Sequence, residues 1–377
     1  MKKAILLVYC ILLLANCTKR QPRSQQAEKD HVQVNRSYSV GFSIKDTENY
    51  KEVVVFSPWE RNAVYARYYL VRDENQQTPV DGIKVKVPLE SIATTSVTHL
   101  GFFNLLGEAD KITAICSPGL VYDQQIQTNF SAGKIIALGD AFRLNVEKIM
   151  VLNPDGLMMS GYNRTDANAE RVQLAGIPVI YNNEWMESSL LARAEWIKFV
   201  AVFFDKSRLA DSIFSEIETR YDSVRINVTN VSYKPKIISG SNFRGTWYMP
   251  GGNSYMSKLY QDAGADYFYA NDTTVGSLPL NFESVLRDFS NTDFWLNCNF
   301  NTINELIQAD KKNELFRPVK ENRVYNFNKR QLPSGANDFW ESAVARPDLL
   351  LGDVVAILHP DLMPDWEFVY AKRLTRR

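Results

Sequence analysis

Aromatic rings, amides and hydroxyls recur just beyond the apolar runs of this chain, where they could stack and orient a solute without transforming it. The densest group is Asn242-Phe243-Arg244-Gly245-Thr246-Trp247-Tyr248, which follows a strand-like run at residues 236–239 and leads into Gly251-Gly252. Thr95, Ser96 and His99, then Ser117, Tyr162 and Trp185, hold comparable places earlier; Trp295 and Trp340 do so later. Trp and Tyr can stack a flat ligand while a few polar groups set its orientation. Arg244 offers a planar fork for an anionic group. For any single tryptophan the competing reading is core packing, because aromatics dominate buried area.

Catalytic chemistry has no comparable support. The chain lacks a nucleophile elbow, a Walker loop and a His-Glu-x-x-His pattern, so it does not read as an enzyme. Its three histidines, His31, His99 and His359, are too few to converge as a zinc or manganese site. Neither a metal site nor a cofactor of its own is therefore expected. His99 could give one axial ligand to the metal of a bound chelate; the plainer reading is a packing residue at a helix start.

These side chains need elements that bring them together. Residues 38–87 are rich in β-branched and aromatic runs such as Val53-Val54-Val55-Phe56, separated by turn-forming residues. From Lys84 the texture alternates, with strands expected at 84–88, 112–115, 155–159 and 178–181 and helices at 98–106, 146–152 and 167–174. Such alternation predicts a parallel sheet covered on both faces, with binding loops at the carboxyl ends of its strands. Residues 188–225 then contain neither Gly nor Pro and keep apolar residues at helical spacing, from Leu191 to Tyr221. One helix there would run roughly 55 Å; a pair broken near Asp205-Lys206-Ser207 is the other reading. The alternation restarts at residue 236. The expected fold class is therefore α/β, with two Rossmann-like lobes joined by one long backbone helix and an extra N-terminal β-rich segment.

The start of the chain sets the compartment. Lys2 and Lys3 precede an apolar run to Leu14 that is too short to span a bilayer comfortably and reads as a signal-peptide core. Leu14-Ala15-Asn16-Cys17 resembles the lipobox of bacterial lipoproteins, which implies cleavage before Cys17 and a lipid on its thiol. An ordinary signal peptide with an incidental cysteine is the alternative. The polar stretch after Cys17 lacks aromatics and suits a tether. Its Lys19 and Arg20 favour the periplasmic side of either membrane over surface export. The expected organisation is signal 1–16, tether 17–36, first lobe with extension 37–187, connecting helix 188–226 and second lobe 227–377.

Lys plus Arg equals Asp plus Glu at 43 each, so no basic excess argues for nucleic acid. Cys116 and Cys298 lie far apart in sequence and are expected as buried free thiols.

Three stretches resemble the helical-backbone class of ABC-importer binding proteins, which carry iron-siderophores, haem and cobalamin. They are Leu152-Asn153-Pro154-Asp155-Gly156-Leu157-Met158-Met159, Leu174-Ala175-Gly176-Ile177-Pro178-Val179-Ile180, and Leu280-Asn281-Phe282-Glu283-Ser284-Val285-Leu286. The β-rich opening, Gly245 to Tyr255 and Ala345 to Leu351 are similar to Bacteroidetes members. The resemblance implies a monomeric lipoprotein that captures a metal chelate, a ferric siderophore ahead of cobalamin, and delivers it to an ABC permease and its ATPase. It also implies one docking carboxylate per lobe, Glu170 and Glu283, matching the family's motifs. A regulatory or structural lipoprotein on the same scaffold is the reading from another class.

Overall fold

A computed structural model of the chain describes residues 37–164 and 166–376. The signal segment, Cys17, the tether and His31 lie outside the described residues. The first described sheet joins β1 (Phe42–Asp46), β2 (Lys51–Phe56) and β3 (Val64–Val71) antiparallel, with β4 (Ile83–Lys86) parallel to β3. Val53, Val55, Tyr68, Leu70 and Val85 carry this sheet into the core of the first lobe. The strand expected at 84–88 is thus β4, the last strand of the extension, and the lobe's own alternation begins one strand later.

That lobe runs β5 (Ile92–Thr94), α1 (Leu100–Leu106), β6 (Ile112–Ile115), α2 (Gln124–Ser131) and β7 (Ile136–Ala137). A small hairpin, β8 (Gly139–Asp140) and β9 (Arg143–Leu144), leads to α3 (Val146–Leu152), β10 (Leu157–Met159), α4 (Ala167–Leu174) and β11 (Val179–Tyr181). The strands form one parallel sheet in the order β11-β10-β5-β6-β7. Every residue of β5 and β10 is buried, as in a sheet covered on both faces. Side-chain caps start the helices: Asp123 for α2, Asn145 for α3 and Asp166 for α4.

The helix expected across residues 188–226 is broken into α5 (Leu190–Ala194), α6 (Trp196–Val202) and α7 (Ser207–Asn227). The break coincides with a change in burial. Six of the seven residues of α6 are buried, which is the pattern of an enclosed helix, whereas α7 buries one stripe, Ala210, Phe214, Ile217 and Tyr221. Between them Phe203 and Phe204 turn into the core, and Asp205 takes a left-handed conformation at φ 59°. Ala210 and Phe214 belong to the first-lobe core and Tyr221 to that of the second lobe. α7 therefore joins the lobes, at 21 residues rather than nearly forty.

The second lobe opens with β12 (Ile237–Ser239), β13 (Asn242–Phe243), β14 (Thr246–Pro250), α8 (Tyr255–Asp262), β15 (Ser277–Leu280), α9 (Phe282–Phe289) and β16 (Phe294–Leu296). It continues through α10 (Ile303–Ala309), α11 (Arg317–Lys320), β17 (Val324–Asn326), α12 (Ser342–Ala345), α13 (Pro347–Leu358) and β18 (Lys372–Arg373). β12, β16 and β17 are parallel, β18 closes that sheet antiparallel, and β13-β14-β15 form a separate antiparallel sheet. α12 ties this lobe back to the first, since Val344 and Ala345 enter the first-lobe core. Gly101 on α1 permits that approach: a β-carbon there would lie 2.6 Å from the Glu341 carbonyl oxygen.

Cys116 and Cys298 are buried free thiols in different lobes, and burial raises the pKa of each to about 12. Among the described residues no helix is long and apolar enough to cross a membrane.

Candidate solute-binding site

The loop after β11 and the turn between β2 and β3 meet the second lobe around a cavity of about 510 Å³. Trp59, Trp185, Met186 and Glu187 line one side; Pro250, Ser254, Tyr255 and Met256 line the other. Trp185 lies in the Asn182-Asn183-Glu184-Trp185 segment that follows β11. Tyr255 opens α8, which Ser254 caps. No lysine or arginine lines this cavity. Its one carboxylate is already committed: Glu187 is buried and accepts hydrogen bonds from Ser39 Oγ, the Gly41 amide and Trp196 Nε1. Burial raises the Glu187 pKa, those bonds opposing it. The remaining lining is ring and apolar surface with isolated polar groups, the composition of a small-molecule site.

Rings continue from the cavity along the first lobe. Phe142, Tyr162, Trp185, Trp59, Tyr65 and Tyr181 follow one another at centroid distances of 5.6, 5.8, 6.4, 5.4 and 5.0 Å. The indole nitrogen of Trp185 is buried without a hydrogen-bond partner among the described residues, as are Asn183 Nδ2 and Glu184 Oε1. Trp185 thus brings its ring to the cavity lining while its indole nitrogen points into the protein.

The other residues singled out from the sequence divide clearly. Thr95 is buried, Ser96 caps a short turn at residues 97–99, and Ser117 is half-buried with φ 46°; none of them lines the cavity between the lobes. His99 is fully buried, with Nδ1 3.1 Å from Thr94 Oγ1. Burial lowers its pKa to about 4, so it is neutral at pH 7. Inside the core it cannot reach a solute's metal, and the axial-ligand reading is corrected to packing. Trp247 is likewise corrected to a core residue, and Trp295 packs against it while also lining, with Arg244, a cavity of about 350 Å³ in the second lobe. Both are fully buried, 5.2 Å apart ring to ring, with their indole nitrogens bonded to the Ser239 and Gly240 carbonyls. Alternation along β14 turns Trp247 and Met249 inward and leaves Tyr248 half-exposed, away from the cavity between the lobes. Arg244 sits at the β13–β14 turn with φ 53° and lines a different cavity, with Asp310 and Asn313. Trp340 is partly exposed beside Phe339. Glu170 and Glu283 are exposed on the first turns of α4 and α9. Trp59 and Tyr255 escaped the sequence reading. The signal for Trp59 was a tryptophan stranded in the turn Ser57-Pro58-Trp59-Glu60, with no strand face to fill.

No group of three or more His, Cys, Asp or Glu side chains among the described residues is placed to hold a metal ion.

Comparisons with known proteins agree with this architecture. Two uncharacterized lipoproteins of Methanocaldococcus jannaschii are similar in sequence. One is 26% identical over 74% of this chain and 68% of its own; the other is 22% identical over 95% of each. A periplasmic binding protein of Veillonella parvula shares the fold with a TM-score of 0.57 at 13% identity, over 85% of this chain and 98% of its own. So do the Ni(II)-bound Ceue protein of Helicobacter pylori, with a TM-score of 0.57 at 15% identity over 79% and 91%, and the haem-binding HutB of Vibrio cholerae, with 0.55 at 14% over 70% and 99%. Residues 92–330 match the family model described as periplasmic binding protein, a span from the first strand of the first lobe to well inside the second; the chain belongs to that family of solute-binding proteins.

Proposed function

We propose that this protein is the lipid-anchored, periplasmic binding component of an ABC importer, and that its cargo is a metal chelate with a flat, ring-bearing face. The cavity between the lobes carries this reading, with Trp59 and Trp185 on one side and Tyr255 on the other. Rings on both sides favour a planar guest, which can stack on either wall. The names of the similar structures, Ni(II)-bound in one and haem-binding in another, support a chelate. With no lysine or arginine in the lining, a corrinoid macrocycle, whose rim carries neutral amides, fits better than a polyanionic ferric siderophore or the two propionates of haem, whose charge would go unmatched. Cobalamin, second to a siderophore on sequence grounds, gains from this. Cys17 would carry the lipid, and Glu170 and Glu283 would meet the permease. The lobes are joined at α7 and again at α12, which favours small lobe movements on binding.

Tryptophan-quenching titration of the full chain with cyanocobalamin, haem, ferric siderophores and free Ni²⁺ tests the proposal. Submicromolar binding of one chelate, weakened at least tenfold by Trp185→Ala, is the expected result; the factor follows from losing one stacked ring and its buried area. Binding of none of them would favour the non-transport lipoprotein.

A further inference from the structure

We propose that the first lobe holds a second binding site, for an organic ammonium ion, in the cavity between the β2–β3 turn and α4. This site stands beside the cleft and does not depend on which chelate occupies it. The cavity measures about 360 Å³ and is walled by the rings of Trp59, Tyr65, Tyr162 and Tyr181. Tyr65 packs edge-on to Tyr181 at 5.0 Å and lies 5.4 Å from Trp59. Its hydroxyl accepts from the Tyr162 amide at 3.2 Å, which holds two of the walls in register. A cation within about 6 Å of such ring faces is attracted by their quadrupoles, most strongly where water is excluded. The chain supplies its own instance: the Arg164 guanidinium stands 6.0 Å from the centre of the Tyr162 ring.

Charge points the same way. Glu60, Asp166 and Glu170 line the cavity against Arg164 alone. Glu60 and Glu170 are exposed at the cavity rim, and Asp166 spends one carboxylate oxygen on capping α4. Rings alone would suit any flat apolar guest. Rings with an excess of carboxylates select a cation whose own surface is apolar, which describes a substituted ammonium better than a hydrated metal ion or an anion.

The test is calorimetric titration of the full chain with benzyltrimethylammonium, and with benzyl alcohol and benzoate as neutral and anionic counterparts. The cation should bind about tenfold more tightly than the alcohol, and benzoate should not compete. Trp59→Ala should remove most of that binding while Trp59→Phe keeps it, and Glu60→Gln should weaken it about threefold. Equal affinity for the three probes, or ammonium binding untouched in both Trp59→Ala and Glu60→Gln, would overturn the proposal. Because Glu60, Tyr65 and Tyr181 line this cavity and not the one between the lobes, Glu60→Gln leaves chelate binding as an independent readout.

Discussion

The guanidinium carbon of Arg193 sits 4.1 Å from the ring centre of Tyr255, so a side chain of the connecting segment supports a second-lobe wall of the solute cavity. Arg193 is held in turn by Glu184, 2.6 Å away, and both are almost completely buried. Removing one partner of a buried pair strands the other's charge. Arg193→Met should therefore destabilise the protein by about 3–5 kcal/mol, and the double variant with Glu184→Gln should recover part of that loss. Tyr255→Phe keeps the cation over a ring but loses the hydroxyl that interacts with Arg193, so it should lose less than Tyr255→Ala, which should lose roughly 1–2 kcal/mol. Denaturant unfolding of the four variants measures all of this, and a double variant no better than Arg193→Met would rule out stranded charge as the cause.

Two tryptophans that look alike in sequence should part company on mutation. Trp247 packs on Trp295 and Phe316 in the second-lobe core, so Trp247→Ala should cost about 3–5 kcal/mol of stability. Trp185 lines the cavity and is only partly buried, so Trp185→Ala should lower solute affinity with a much smaller change in stability. Paired unfolding and binding curves separate the two. Similar stability losses would place Trp185 in the core as well.

The alternation of strand and helix was legible because parallel strands buried on both faces are short, largely apolar runs. Ile112–Ile115 and Phe294–Leu296 lie where the sequence puts them, and the start of α4 follows its Asp166 cap. β5 was missed because three residues, Ile92–Thr94, run directly into Thr95 and Ser96 without a clear boundary. The break at Asp205 falls where the broken-pair reading put it; with no Gly or Pro there, the choice between that reading and one long helix is set by what α6 and α7 pack against, which is tertiary information. The same holds at the site. Trp185 and Tyr162 could be placed because they follow strands, but Trp59 reaches the cavity only because the extension docks on β11, with Tyr68 Oη accepting from the Tyr181 amide at 2.8 Å.

Charge reversal should test the docking carboxylates separately from binding. Glu283 is 78% exposed and among the described residues its one ion pair is with Lys312, at 3.9 Å, so Glu283→Lys should shift stability by no more than about 1 kcal/mol, the cost of a cation at a helix N-terminus. Solute affinity should be unchanged while uptake in cells carrying the cognate permease falls, more steeply at low salt, as complementary charge governs encounter. Glu170→Lys should reduce uptake too, but it should also weaken benzyltrimethylammonium because Glu170 lines the first-lobe cavity. Normal uptake by both variants would remove these residues from the docking surface.

Glu341 makes the junction between lobes sensitive to pH. Its carboxylate oxygens accept the amides of Tyr122 and Asp123 at 2.8 and 3.1 Å, from the second lobe to the loop that starts α2. Burial pushes its pKa up to about 7 from the usual 4.5; the Tyr122 amide opposes this, and the neighbouring Asp338 and Asp123 charges add to it. The native state therefore holds this proton more tightly than the unfolded chain. The resulting stabilisation is complete below pH ~4.5 and is lost as pH rises through about 7, to an extent of about 3 kcal/mol. Glu341→Gln removes the titration, so its stability should fall less than the parent's between about pH 5 and 8. Urea unfolding at half-unit pH intervals reads the difference in slope directly. Parallel curves for the two proteins would show that the Glu341 proton is held no more tightly in the folded state, and the pH sensitivity of this contact would have to be abandoned.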